Sequence, residues 1–194
     1  MAIRKLVQSG HLALKTKNKT ISSFASPKTK KLIKDLKDTM IKTGLIGIAA
    51  PQIAENFMVF LTYPRNTKTR RLNKTDQLRV YINPKITKLS KEKIIIYEGC
   101  GSVAHADLFG PVKRSKELTV SAYDQMGNKF SIKCDGILAR IIQHEMDHLV
   151  GIEFIQKIND FNNILVGEYY NKNIKNSKKQ LNASKITKLD YKKL

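Results

Sequence analysis

Residues 143–151 read QHEMDHLVG, placing His144, Glu145 and His148 within five positions of a chain that has only four histidines. On a helix the two imidazoles, four residues apart, leave the same face about one turn from each other. That separation suits two nitrogen ligands of one small cation. Glu145 stands beside the first, where its carboxylate reaches a water held by the cation without itself taking a coordination position. The bland alternative is a polar helix face. Ile137 and Ile141 precede the histidines on the same stripe, at i, i+4, i+7 and i+11. Alone they read as core residues; with the histidines they read as the apolar wall of a pocket floored by a metal.

Two histidines leave a catalytic site one ligand short. The metzincin pattern HExxHxxGxxH finds its glycine in Gly151, but Phe154 stands where the third histidine belongs. Glu168 lies at the spacing of a thermolysin-like glutamate, though in lysine-rich surroundings. Cys100, at the end of the apolar run IIIYEGC, offers a thiolate.

The elements that must position these groups follow from pattern. In SPKTKKLIKDLKDTMIKTG, Ser26 is placed to cap a helix and Pro27 to open it. Leu32, Ile33, Leu36 and Met40 recur at helical spacing, and Gly44 closes the segment. The runs FMVFLTY, LRVYINPKI, IIIYEGC, ELTVSAYD and KFSIKCDG predict strands, separated by turn formers such as YPRNTK and DQMGNK. From Ile137 to about Leu149 the pattern is helical again. Helix, strands and a late helix make an α+β class. The segment from Glu168 onward carries eight lysines against two acids, which predicts a frayed helix or disorder, although INDFNNILVGEYY has the pattern to dock a helix.

A length of 194 residues suits one domain, and 41% hydrophobic with 27% charged residues is ordinary globular composition. No apolar run reaches membrane-spanning length, and the first residues lack the apolar block of a signal peptide. Cys100 and Cys134 are too few for a disulfide framework, which points to a reducing compartment. The formal charge of +20 is mostly lysine interleaved with asparagine and isoleucine, a solvated surface more than a nucleic-acid groove. Cys134 reads as a small buried residue, and His11 and His105 as loop residues. Glu98 is placed to pair with Arg114 in support of the cysteine strand.

GIAAPQ (residues 47–52), EGCGS (98–102) and QHEMDHLVG, in this order, resemble the three signature motifs of peptide deformylases. YINPKI, DGILAR and IRKLVQSGHLAL are similar to that family too, so the resemblance runs over residues 3–165. It implies a compact single α+β domain, antiparallel sheets wrapped around a central metal-binding helix, over residues 1–167, followed by a lysine-rich tail, 168–194. Cys100, His144 and His148 would hold one divalent metal, Fe(II) above zinc, nickel or cobalt. The resemblance assigns Glu145 to proton transfer, and the Gln52 side-chain amide and the Gly101 N–H to the oxyanion. N-formylmethionyl nascent peptides would be the substrate and formate a product. Ile46, Ile96, Ile137 and Ile141 would line the methionine slot, with Gly47 and Gly99 admitting the peptide backbone. The family start falls within a few residues of Met1, which favours a bacterial-type cytosolic protein over an organellar precursor; a monomer is the expected state. No membrane or specific DNA partner is implied; the basic tail suits ribosomal RNA phosphates.

Three features depart from the family pattern. Leu45 replaces the first glycine of GxGxAAPQ, Gly101 replaces the leucine after the cysteine, and Ala104 stands where proline is frequent. A shifted backbone or narrower cleft is expected from the first, and a looser loop from the second. A basic RNA-binding protein with a vestigial enzyme body is the competing reading; the intact ligand set argues against it.

Overall fold

A computed structural model describes residues 3–67 and 70–194. The first helix, α1 (Pro27–Thr43), begins where Ser26 accepts a hydrogen bond from the Thr29 N–H at 3.1 Å and ends at Gly44 with φ 73°. Its apolar face buries Leu32, Leu36 and Met40 against Ile48, Val59 and Leu61. Those residues belong to β1 (Gly47–Ala49) and β2 (Val59–Thr62).

The strands are completed by β3 (Arg79–Leu89), β4 (Lys93–Gly99), β5 (Leu108–Ser115), β6 (Glu117–Tyr123), β7 (Lys129–Asp135), β8 (Leu165–Val166) and β9 (Leu189–Lys193). They form a six-stranded antiparallel sheet in the order β1-β2-β3-β6-β7-β9 and a three-stranded one, β4-β5-β8. The five strands expected from pattern are present. β5 escaped that reading because Gly110, Pro111 and three basic or polar residues interrupt its alternation. Within β3, Asn83 takes φ 49° at a register shift, and its side chain bonds both the N–H and the C=O of Ile21. Such an extra residue bends the strand, here around the segment that leads into α1.

β2 is buried on both faces because successive residues point to opposite sides of a sheet. Val59 and Leu61 meet α1, whereas Phe60 meets α2 (Gly136–Leu149). α2 buries Leu138, Ala139, Ile142 and Leu149 against Phe60, Tyr81, Val120 and Ile132; the Phe60 and Tyr81 rings stack at 4.6 Å. Toward the smaller sheet, Arg140 of α2 donates to the carbonyls of Ile94 at 2.9 Å and Val112 at 3.0 Å.

The expected frayed tail is instead ordered. Residues after 166 form α3 (Gly167–Asn173), α4 (Lys178–Ser184) and β9, which pairs with β7. Composition misled because the lysines point outward while a few other residues dock. Ile186 is 2% exposed in the main core. The Asp135 carboxylate accepts from the Thr187 and Lys188 N–H groups, and the Asn73 amide bonds both backbone groups of Ile186. Tyr170 stacks on Phe109 at 3.9 Å. No described helix is long and apolar enough to cross a membrane.

Candidate metal centre

α2 delivers His144 and His148 one turn apart, with ring centroids 4.9 Å from each other. β4 runs beside the helix and ends at Gly99, so Cys100 turns toward the histidines immediately after the strand. The Cys100 Sγ lies 3.3 Å from His148 Nε2, and one ligand atom from each of Cys100, His144 and His148 falls within 4.8 Å of the others. A tetrahedral ion with metal–sulfur and metal–nitrogen bonds of about 2.3 and 2.0 Å separates its ligands by about 3.5 Å. The three donors fit such an ion. Among the described residues no other cluster of His, Cys, Asp and Glu converges in this way. Glu168 lies exposed at the start of α3 and joins no such group, so the thermolysin-like arrangement has no counterpart here. Phe154 is buried beside His144, with ring centroids 6.2 Å apart.

Glu98, two residues before the cysteine, faces inward under the site. Arg114 grips it with two bonds of 2.6 and 2.9 Å, Arg140 adds a third at 2.6 Å, and His144 Nδ1 sits 3.1 Å from Oε2. Arg114 also reaches Asp147 at 2.7 Å. Burial pushes the Glu98 carboxyl up, but Arg114 and His144 outweigh it and hold the group well below the usual carboxylate range. The ionised Glu98 thereby fixes His144 with Nδ1 on the carboxylate and Nε2 left to the Cys100 side of the ring. Burial works to lower His144, yet its hydrogen bonds to Cys100 and Glu98 raise it well above an ordinary histidine. Burial, with His144 and Arg114 nearby, holds His148 well below the ordinary value, in the neutral form that binds metals.

Glu145 is 3% exposed, and among the described residues its Oε2 has no hydrogen-bond partner. Burial pushes its carboxyl up to about 7, against the lowering effect of His144 and Arg114. The carboxyl is thereby poised to exchange a proton near neutrality. Gly47 lies against it: a Cβ there would stand 2.4 Å from Glu145 Oε1 and 2.5 Å from Ile141 Cγ2. Gln52 comes from a 3-10 turn after β1, its Oε1 accepting from the Ala49 N–H at 2.8 Å. Its amide nitrogen is thereby turned to Cys100 Sγ, at 3.5 Å, and Ser102 Oγ, at 3.4 Å.

The remaining expected residues divide. Ile46, Ile96 and Ile141 are buried, whereas Ile137 is partly buried and packs on the main core under the large sheet. The space a side chain at Gly99 would need is filled by the Phe109 ring, 2.7 Å away, so packing alone requires that glycine. The two departures at Leu45 and Gly101 meet each other. A Cβ on Gly101 would lie 3.1 Å from the Leu45 side chain and 2.9 Å from Leu6, so Leu45 fills the room that a larger residue 101 would occupy. The paired ions Glu98 and Arg114 were anticipated. Arg140 and Asp147 were not, although a lone arginine four residues before His144 on an apolar helix was the available signal.

Antiparallel sheets flanking an HExxH helix, with a thiol brought to its histidines, define a class of metal-dependent hydrolase. Residues 3–163 match the family model of polypeptide deformylase. Peptide deformylase 2 of Clostridium perfringens is 36% identical over 159 residues, which are 81% of this chain and 94% of that one. The chloroplastic peptide deformylase 1B of Solanum lycopersicum is 34% identical over 80% of this chain, which spans only 53% of its length. A crystal structure of class I type b peptide deformylase from Acinetobacter baumannii superposes with TM-score 0.77 at 28% identity, covering 82% of this chain and 100% of the other. The chain belongs to the peptide deformylase family, hydrolases that deformylate nascent peptides.

Proposed function

We propose that this chain removes the formyl group from N-formylmethionyl nascent peptides, with residues 1–167 as the catalytic body, sheets wrapped around α2, and 168–194 as an appended brace. The observation that carries the reading is the meeting of the Cys100 thiol with two imidazoles, beside the buried Glu145 carboxylate, whose Oε2 has no hydrogen-bond partner among the described residues. A divalent ion held by Cys100, His144 and His148 would supply the Lewis acidity that makes water nucleophilic near neutral pH. Glu145 takes the proton from the attacking water and passes it to the departing amine, which leaves poorly unless protonated. The Gln52 amide and the Gly101 N–H donate to the oxygen that gains charge as the formyl carbon becomes tetrahedral. Formate departs, and the peptide keeps a free amino terminus. Ile46, Ile96 and Ile141 provide the apolar side of a methionine slot, with Gly47 lying against Ile141, and Ile137 is given up to the main core.

Fe(II) is the ion we propose; zinc, nickel and cobalt share the preference for thiolate and imidazole. Metal content after anaerobic purification checks that choice. The protein is placed in the cytoplasm. Its exposed tail lysines, among them Lys178, Lys179, Lys192 and Lys193, would attract ribosomal RNA phosphates. Replacing those four with glutamine should weaken ribosome co-sedimentation at low salt and leave short-peptide turnover intact; unchanged co-sedimentation refutes the RNA contact. The decisive assay is formate release from formyl-Met-Ala-Ser. Glu145→Gln should reduce kcat by about 10²- to 10⁴-fold, the usual contribution of a general base. A wild-type protein that binds metal but releases no formate overturns the reading.

A further inference from the structure

Among the described residues β4 pairs with a strand, β5, on one side only, so its other edge has no strand partner. In an antiparallel pair, residues alternate between those whose N–H and C=O face the partner and those that face away. Tyr97 faces away. Its register partner on β5 is Pro111, which has no N–H to give. On the open side, the Tyr97 N–H donates to Gln180 Oε1 at 3.1 Å, and its C=O accepts from Gln180 Nε2 at 2.9 Å. One side-chain amide thus offers the acceptor and the donor that a residue of a neighbouring strand would offer. Gly99, two residues on, shares the outward direction and directly precedes Cys100.

Gln180 is held firmly in that place. It is 7% exposed, Tyr170 Oη lies 3.5 Å from its amide nitrogen, and Ser177 caps α4 through the Gln180 N–H. Beyond α4, Asp135 and Asn73 clamp residues 186–188. Lys185 crosses the first residue of α2 so closely that a Cβ on Gly136 would lie 2.1 Å from its carbonyl oxygen. A peptide whose formyl end sits at Cys100 and whose backbone pairs along β4 would meet Gly99 first and Tyr97 next.

We propose that Gln180 caps the free edge of β4 and so ends the backbone pairing open to a bound peptide at Gly99. The C-terminal segment then sets how much of a nascent chain the cleft reads. This rests on the deformylase reading above. The same contact also shields an edge strand from unwanted partners, and dependence on peptide length separates that role from a limit on substrate pairing.

The test compares wild type, Gln180→Met and Gln180→Glu as full chains loaded with metal. Met keeps the volume and removes both bonds, whereas Glu keeps the acceptor for the Tyr97 N–H and loses the donor. kcat/KM is measured on formyl-Met-Ala-Ser and on the same peptide extended by three alanines. Wild type should not distinguish the two peptides. Gln180→Met should favour the longer one by about 3- to 10-fold, the effect of one or two net hydrogen bonds, with the tripeptide unchanged. Gln180→Glu should stay flat. A wild type that gains equally from the extension, or a flat Gln180→Met, overturns the proposal. Amide hydrogen exchange at Tyr97 reads the cap without turnover. It should be slow in wild type, fast in Gln180→Met, and slow again when the deformylated hexapeptide is added; failure of that re-protection also overturns the proposal. If neither peptide is deformylated by wild type, the activity assignment falls, and the exchange result still decides the cap.

Discussion

The α2–β4 centre and the C-terminal segment bring distant parts of the chain together by opposite means. At the centre, charge is buried and answered by charge: Glu98 holds two arginines and a histidine, and Arg114 reaches on to Asp147. In the tail, the lysines are mostly exposed, and docking falls to neutral amides, the Asp135 carboxylate, strand pairing and a few apolar side chains such as Ile186 and Tyr170. Gln180 bonds Tyr97 across 83 residues, and Asn73 bonds Ile186 across 113. Buried ions demand partners, since an unpaired one costs several kcal/mol. A neutral amide on a strand edge costs little if it is lost. The centre should therefore be intolerant of charge changes, and the tail tolerant of them but intolerant of apolar truncation.

Ile186→Ala tests the tail half of that contrast and should have the largest effect on stability. Removing a fully buried isoleucine costs about 2–5 kcal/mol, visible as a lowered urea midpoint, while formyl-Met-Ala-Ser turnover per folded molecule stays near wild type. A loss below about 0.5 kcal/mol would mean that the tail does not brace the core. Glu98→Gln addresses the other half. It keeps the shape but removes the charge that orients His144, and metal affinity in a chelator competition should fall about 10- to 100-fold. Unchanged affinity would show that the arginine cluster serves folding alone. The smallest effect concerns Leu45 and Gly101. Gly101→Leu alone should cost about 1–3 kcal/mol through overpacking against Leu45 and Leu6. Leu45→Gly in the same chain should recover part of that, and a coupling near zero in the double-mutant cycle would refute their mutual packing.

Legibility followed range. The His144–Glu145–His148 spacing lies within one helical turn and a half, and the Ser26 cap and the Gly44 stop lie within their own helix, so each could be read locally. Cys100 was legible as a donor, yet its meeting with His148, 48 residues on, required the strand to run beside the helix. β5 was missed because glycine and proline hid its alternation. The tail was misread because composition counts every lysine and cannot weigh Ile186 and Leu189, which find the core. Leu45 and Gly101 each looked like a defect in isolation; side by side they share one volume.

The residue types and their order thus marked the Cys100, His144 and His148 cluster, the carboxylate beside it, the principal strands and the first helix, since hydrophobic period and side-chain spacing are properties of short segments. Only the fold decided which edge of β4 stays open, that Glu98 would carry two arginines, and that a basic tail would become the sixth strand of a sheet. Those outcomes depend on which polar groups are left without water when distant surfaces close, and that is set by packing in three dimensions.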